Sequence, residues 1–334
     1  MKNNIILTLA SILILAGCSE PEEKDQPIGS AEINTSAPAV DTNTSVNLVK
    51  QELRLNLEKG KTYIQNSSSS TTIYQTLGAQ QVSTGITVVA KTSFKVLEVK
   101  NDLFTMEVRY ERMIMSMVTP QTIKQYSTEN PMPNDFISMA MQNLKNKPFK
   151  VVMNHVGKVV EIKGVAALFE DAGKKFKGDN AAKQAILNQL IQSFGEKSFV
   201  SNIEKSSAIF PTEPVAQGQR WTITGSLGIG ISSDYTSVFE LKTINDSICD
   251  LKGNAKVSTK NKDAFVEING IMMKYEMDGT MTSDIKIDRK TGWIKRAQFT
   301  QSLSGNATIK AGALMPEELT VPMTSSSDVT ITDQ

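Results

Sequence analysis

Phe94-Lys95-Val96-Leu97-Glu98-Val99-Lys100-Asn101-Asp102 sets apolar residues among charged ones and then meets a turn-forming pair. Side chains alternate across a strand, so this stretch buries one face and wets the other. Asn and Asp suit the turn because their short side chains bond the nearby backbone. The same signal returns in Phe239-Glu240-Leu241-Lys242-Thr243-Ile244-Asn245-Asp246. Two strands that each run into a tight turn pair with their sequence neighbours. The fold class expected is therefore α+β with mainly antiparallel sheet.

Flanking signals repeat in the same order. Upstream lie Leu57-Glu58-Lys59-Gly60-Lys61-Thr62-Tyr63 and Val215-Ala216-Gln217-Gly218-Gln219-Arg220-Trp221, each with a glycine three residues before an aromatic. Downstream lie Asn154-His155-Val156-Gly157-Lys158-Val159 and Asp288-Arg289-Lys290-Thr291-Gly292-Trp293-Ile294, which read as glycine hairpins. Within a β-rich body over 51–334, this order implies a duplication with halves at about 52–164 and 212–330, forming one or more curved sheets. Trp221 and Trp293 fall at matched places on this reading, which favours packing over binding.

Two or three short helices are expected between the halves, over about 134–205. Asn134 or Asp135 caps the first, which runs to Lys145 with Phe136, Ile137, Met141 and Leu144 on one side. A second spans Val165 to Ala172. A third follows Asp179, spaces Ala182, Ile186, Leu190 and Phe194 helically, and stops at Gly195. Such amphipathic helices need an apolar partner, and the concave face of the sheet supplies one.

The N-terminal region carries a different message. Lys2 is followed by an apolar run from Ile5 to Ala16, too short to span a bilayer of about 30 Å. Leu15-Ala16-Gly17-Cys18 then resembles the lipobox of bacterial lipoproteins. It implies a signal peptide over 1–17, cleavage before Cys18, and acylation of Cys18 by palmitate-type chains that hold the protein to a membrane. Ser19 in place of aspartate leans towards the outer membrane of the cell envelope, on its periplasmic or its surface face. Residues 18–50 are polar and lack aromatics, as in a disordered tether, whose span is roughly 30 Å.

Without the signal, 35 basic and 35 acidic residues remain, so the chain is neutral and interspersed. That balance argues against nucleic acid as a partner. With Cys18 acylated, Cys249 has no thiol to pair with and reads as a small buried residue. No nucleophile elbow, zinc helix or P-loop occurs, so neither a catalytic residue nor a cofactor is assigned. His155, the single histidine, sits in a hairpin turn without partners for base catalysis.

The chain holds 15 methionines. Met113, Met115 and Met117 alternate on one strand and share a face. Thioethers bind Cu(I), but such sites bring His or Cys, and no metal site is assigned. A deformable apolar surface fits better, as core filler or as lining for a greasy ligand. The candidate ligand surface is Met113, Met115 and Met117 together with Phe136, Met139 and Met141.

Phe149-Lys150-Val151-Val152-Met153-Asn154, then Gly157 to Gly164 and Leu168, resembles a family of uncharacterised bacterial lipoproteins carrying a domain of unknown function. Glu58 to Tyr63 and Pro214-Val215 with Gly218 and Trp221 match it too, for a likeness over about 52–330. More loosely, the plan resembles lipoprotein carriers whose curved sheet holds helices and binds acyl chains. The expected protein is a membrane-anchored, non-enzymatic envelope lipoprotein that binds an apolar ligand, such as a lipid, or an envelope protein. The alternative is a structural or adhesion module with a filled core.

Overall fold

The computed structural model describes residues 49–334 except 133–134, 175–183, 185–186, 189, 192, 228–231, 269–270 and 313–315. Cys18, the apolar run before it and nearly all of the tether lie outside the described residues. So do Asn134, Asp179, Ala182 and Ile186 of the expected helices.

Thirteen strands form one mainly antiparallel sheet among the described residues. They are β1 (Thr62–Leu77), β2 (Gln80–Lys100), β3 (Leu103–Val118), β4 (Ile123–Ser127), β5 (Pro148–Asn154), β6 (Val159–Lys163) and β7 (Arg220–Leu227). After them come β8 (Ser233–Ile244), β9 (Ile248–Thr259), β10 (Val266–Ile268), β11 (Ile271–Asp288), β12 (Ile294–Ile309) and β13 (Leu319–Thr332). The order across the sheet is β6-β5-β3-β2-β1-β13-β12-β11-β9-β8-β7, with β4 on β3 and β10 on β11. Both halves therefore run the same way along the sheet, and the last strand of the chain joins them.

The halves share hydrogen bonds as well as order. Gly60 N–H donates to Val96 O at 2.8 Å, and Gly218 N–H donates to Leu241 O at 2.7 Å. The return bonds, Val96 N–H to Lys61 O and Leu241 N–H to Gln219 O, also correspond. Each second strand then carries a register shift at the same place, between Val96 and Glu98 and between Leu241 and Thr243. The turns that follow differ. Asn101 and Asp102 adopt left-handed backbone at φ 50° and 59°, whereas the Asn245 side chain accepts from the amides of Ser247 and Ile248.

The two tryptophans do not occupy matched places. Trp221 follows Gly218 as Tyr63 follows Gly60, while Trp293 precedes β12 at the position of Lys158 before β6. Both nevertheless pack. Trp293 lies against Tyr63 and Phe94, with centroids 5.2 and 5.3 Å away, and donates to Ile64 O. Trp221 stacks on Phe239 and donates to Ile209 O. Burying each ring with its N–H satisfied keeps the apolar gain without an unpaired donor.

Three helices have full bounds among the described residues: α1 (Phe136–Leu144), α2 (Val165–Lys174) and α3 (Glu196–Ser207). Asp135 caps α1 by accepting from Ser138 N at 2.8 Å. The helical residues described between 184 and 194 include buried Leu190 and Phe194. Gly195 ends that stretch, with its amide on Ile191 O, but its extended backbone also caps α3 directly. The helix stops at Gly195 as the sequence suggested, and a further helix begins directly after it.

One turn of α3 shows how far the sheet curls. Glu204 accepts from Val159 N at the start of β6, while Lys205 stands over the Phe299 ring of β12. These strands lie far apart in the sheet order, so the sheet wraps the helix as a trough. Phe199 of the same helix meets Phe94, Tyr110 and Phe149, building an aromatic floor. Each such pair contributes about 0.5–1.5 kcal/mol beyond its buried area. The segment before β1 closes the floor, with Leu53, Leu55 and Leu57 buried and Leu55 N–H donating to His155 O.

Candidate functional site

The inner face of the sheet can be read as rows of side chains across five strands. Ala297, Ile331, Ser67, Ala90 and Met113 form one row; Phe299, Val329, Ser69, Val88 and Met115 form the next. Gln301, Ser327, Thr71, Ile86 and Met117 form the third. The central strand β1 contributes only short side chains to these rows, so it cannot fill the distance to α3. A cavity of about 390 Å³ remains above it.

This space lies between two packed regions. Below it are Phe194, Phe199 and Ile203 of the main core; above it are Ile73, Leu303 and Met323, which belong to or pack on a second cluster around Met273, Tyr275 and Met277. Its walls differ in polarity. Ile86, Val88, Met115 and Met117 make an apolar side on β2 and β3. Ser67, Ser69 and Thr71 of β1 with Ser325, Ser327 and Gln301 make a polar strip beside it, and Leu303, Met323, Val329 and Ile331 add apolar lining from β12 and β13. Thr71 and Ser327 join their hydroxyls at 3.0 Å within the strip.

A bulge delivers the methionines to this face. Lys91 pairs with Arg112 and Thr92 with Tyr110, so Glu111 is an extra residue in β3. The insertion shifts the alternation by one, and Tyr110 and Met113 both point inward. Tyr110 donates to Phe194 O at 3.1 Å in the core, and burial pushes its phenol pKa up.

Lys205 is the one charged side chain among the described residues that line the cavity. Its ammonium stands 5.9 Å from the Phe299 centroid. Burial depresses its pKa to about 8. The neighbouring Glu204 turns away to β6, where burial raises its pKa against the pull of the Val159 amide and Lys158.

The sequence-designated surface divides three ways. Met115 and Met117 line the cavity. Met113, Phe136 and Met141 are buried in the main core, so they fill space under the helices. Met139, on the outer side of α1, is 48 % exposed. The polar strip was missed. Its signal was the run Asn66-Ser67-Ser68-Ser69-Ser70-Thr71-Thr72, which has loop composition but lies in β1.

Other singled-out residues stand apart from the cavity. Cys249 is buried and its thiol pKa is pushed up to about 11 by burial. His155 occupies the turn whose carbonyl holds Leu55. Among the described residues no three His, Cys, Asp or Glu side chains converge as a metal site, and no helix is long and apolar enough to cross a membrane.

Solved structures match this chain at low similarity. Lipovitellin, from a structure titled for its lipid–protein interactions, matches 83% of this chain at 11% identity and a TM-score of 0.43. The match spans 26% of the lipovitellin chain, about a quarter of its length. OpdQ of Pseudomonas aeruginosa matches 81% of this chain and 98% of its own at 7% identity, with a TM-score of 0.20. An outer membrane channel of Pseudomonas putida F1 matches 82% and 97% at 7% identity, with a TM-score of 0.19. No curated protein matches this chain. A family model, described as a family of unknown function (DUF6263), matches residues 101–294, which include the Phe149–Gly164 and Pro214–Trp221 elements but not Glu58–Tyr63. That match covers more than half of the sequence, and the chain belongs to this family.

Proposed function

We propose that this protein is a non-enzymatic, membrane-tethered binding protein that carries an apolar or amphiphilic small molecule inside its sheet. The observation that carries the reading is the cavity of about 390 Å³, lined mostly by apolar side chains and crossed by a strip of hydroxyl groups. Ligand sites of about 300–1,000 Å³ with a mostly apolar lining and a few placed polar groups are the usual form of small-molecule pockets. A purely structural module would be expected to fill this space, since interiors pack as densely as organic crystals. Cys18 would supply the membrane attachment through its acyl chains, at the cell envelope and on the outer-membrane side that Ser19 suggests.

The test is extraction of the full-length protein purified from its own host, followed by mass spectrometry of the non-covalent lipid fraction. Stoichiometric recovery of an acyl species supports a carrier. Recovery at the level of an unrelated lipoprotein prepared in parallel points instead to a structural module. Intact mass of the same sample tests acylation at Cys18 separately.

A further inference from the structure

We infer that the cavity takes one anionic single-chain amphiphile, a long-chain carboxylate, with its headgroup at Lys205 and its tail along Met115 and Met117. The inference rests on the cavity being a ligand site, as proposed above, and names the class of ligand.

Charge comes first. Lys205 is the lone charged side chain among the described lining residues, and the Phe299 ring is its partner there. No carboxylate lies within ion-pair distance of it among the described residues. Glu204, next to it on α3, is engaged with the Val159 amide of β6. A partly buried ammonium without a counter-ion is costly, and a carboxylate arriving with a ligand offsets that cost through a charge-assisted hydrogen bond.

Placement agrees. Lys205 stands over Phe299, and the next inward residue of β12 is Gln301, paired with Ser327 of β13. A headgroup there has a cation on one side and hydroxyl and amide groups on the other. Three strands further along the same row stands Met117, on the apolar wall. The lone cation stands over β12 and the two methionines lie on β3, at separate parts of one lining. At about 390 Å³ the cavity falls near the small end of ligand pockets, which suits one chain better than the two of a phospholipid.

The test uses residues 19–334, which contain every described element, and compares palmitate with hexadecanol at pH 7. We expect palmitate to bind at least tenfold tighter. Lys205→Met should bring palmitate down to the level of hexadecanol and leave hexadecanol unchanged, while Lys205→Arg keeps the preference. Circular dichroism checks that the variants fold. Equal binding of the two ligands to the unaltered protein overturns the headgroup assignment and leaves the cavity reading standing. Absence of binding by both overturns the cavity reading, and the headgroup assignment with it.

Discussion

Gly60 and Gly218 hold the same left-handed backbone, φ +83° and +85°, at the entrance to the first strand of each half. Nothing lies within 4 Å of where a Cβ would stand on either. Alanine at each should therefore cost backbone strain alone, about 1–2 kcal/mol, and nearly the same amount at both. Gly292 is a different case, because a Cβ there would fall 2.2 Å from Arg54 O. Urea unfolding of Gly60→Ala, Gly218→Ala and Gly292→Ala should give two matched losses and one clearly larger.

Lys205 makes stability depend on pH in a predictable direction. Its folded pKa of about 8 lies below the ordinary lysine value of 10.5, so the unfolded chain binds more protons between those limits. Stability from this group rises with pH through that window, and below it the full penalty of the buried charge remains. Lys205→Met should be more stable than the parent at pH 7. The gain should shrink as pH climbs from 8 towards 10.5, as read from melting curves of both proteins.

The methionines separate by depth. Met113 is fully buried in the main core and Met139 is exposed on α1. Met113→Ala should cost about 2–5 kcal/mol, whereas Met139→Ala should stay within about 0.5 kcal/mol of the parent. Similar losses at both positions in denaturant titrations would contradict this packing.

Ser69 faces the cavity from its central strand, with Val88 and Val329 as cross-strand neighbours. Ser69→Leu adds volume where space exists, so it should fold normally and compete with a bound tail. Retention of full ligand binding by a folded Ser69→Leu protein would move the ligand elsewhere.

Cys249 should resist thiol reagents in the native protein. The thiolate is the reactive form, and burial holds the pKa near 11. Ellman's reagent at pH 8 should label Cys249 slowly in buffer and rapidly in guanidinium chloride. Fast native labelling would show that β9 opens readily.

Local features were legible because their physics is local. Phe94 to Leu97 and Ser233 to Leu241 alternate with period two up to the bulge in each strand, and Asp135 caps α1 as its position predicts. Met139 was separable too, since Phe136, Ile137, Ala140, Met141 and Leu144 define the buried side of that helix. The cavity was not legible. It depends on Gln301, Ser327, Thr71, Ile86 and Met117 falling in one row, and that register joins segments more than 200 residues apart. The serine run of β1 carries turn-like composition, and only its place beneath α3 makes it a wall. The inward turn of Met113 needs the Glu111 bulge, which no local pattern announces.

The position of β13 has a consequence for how the chain is made. β13, synthesised after every other described strand, sits at the middle of the finished sheet, between β1 and β12. While residues 78–318 are being synthesised, one edge of β1 waits without its neighbour. Such edges invite adhesion between chains unless they are made unattractive. Ser67 to Thr72 offer a waiting edge with almost no apolar surface on either face. The short hydroxyl side chains that leave room inside the folded molecule also keep the unfinished one from sticking to its neighbours.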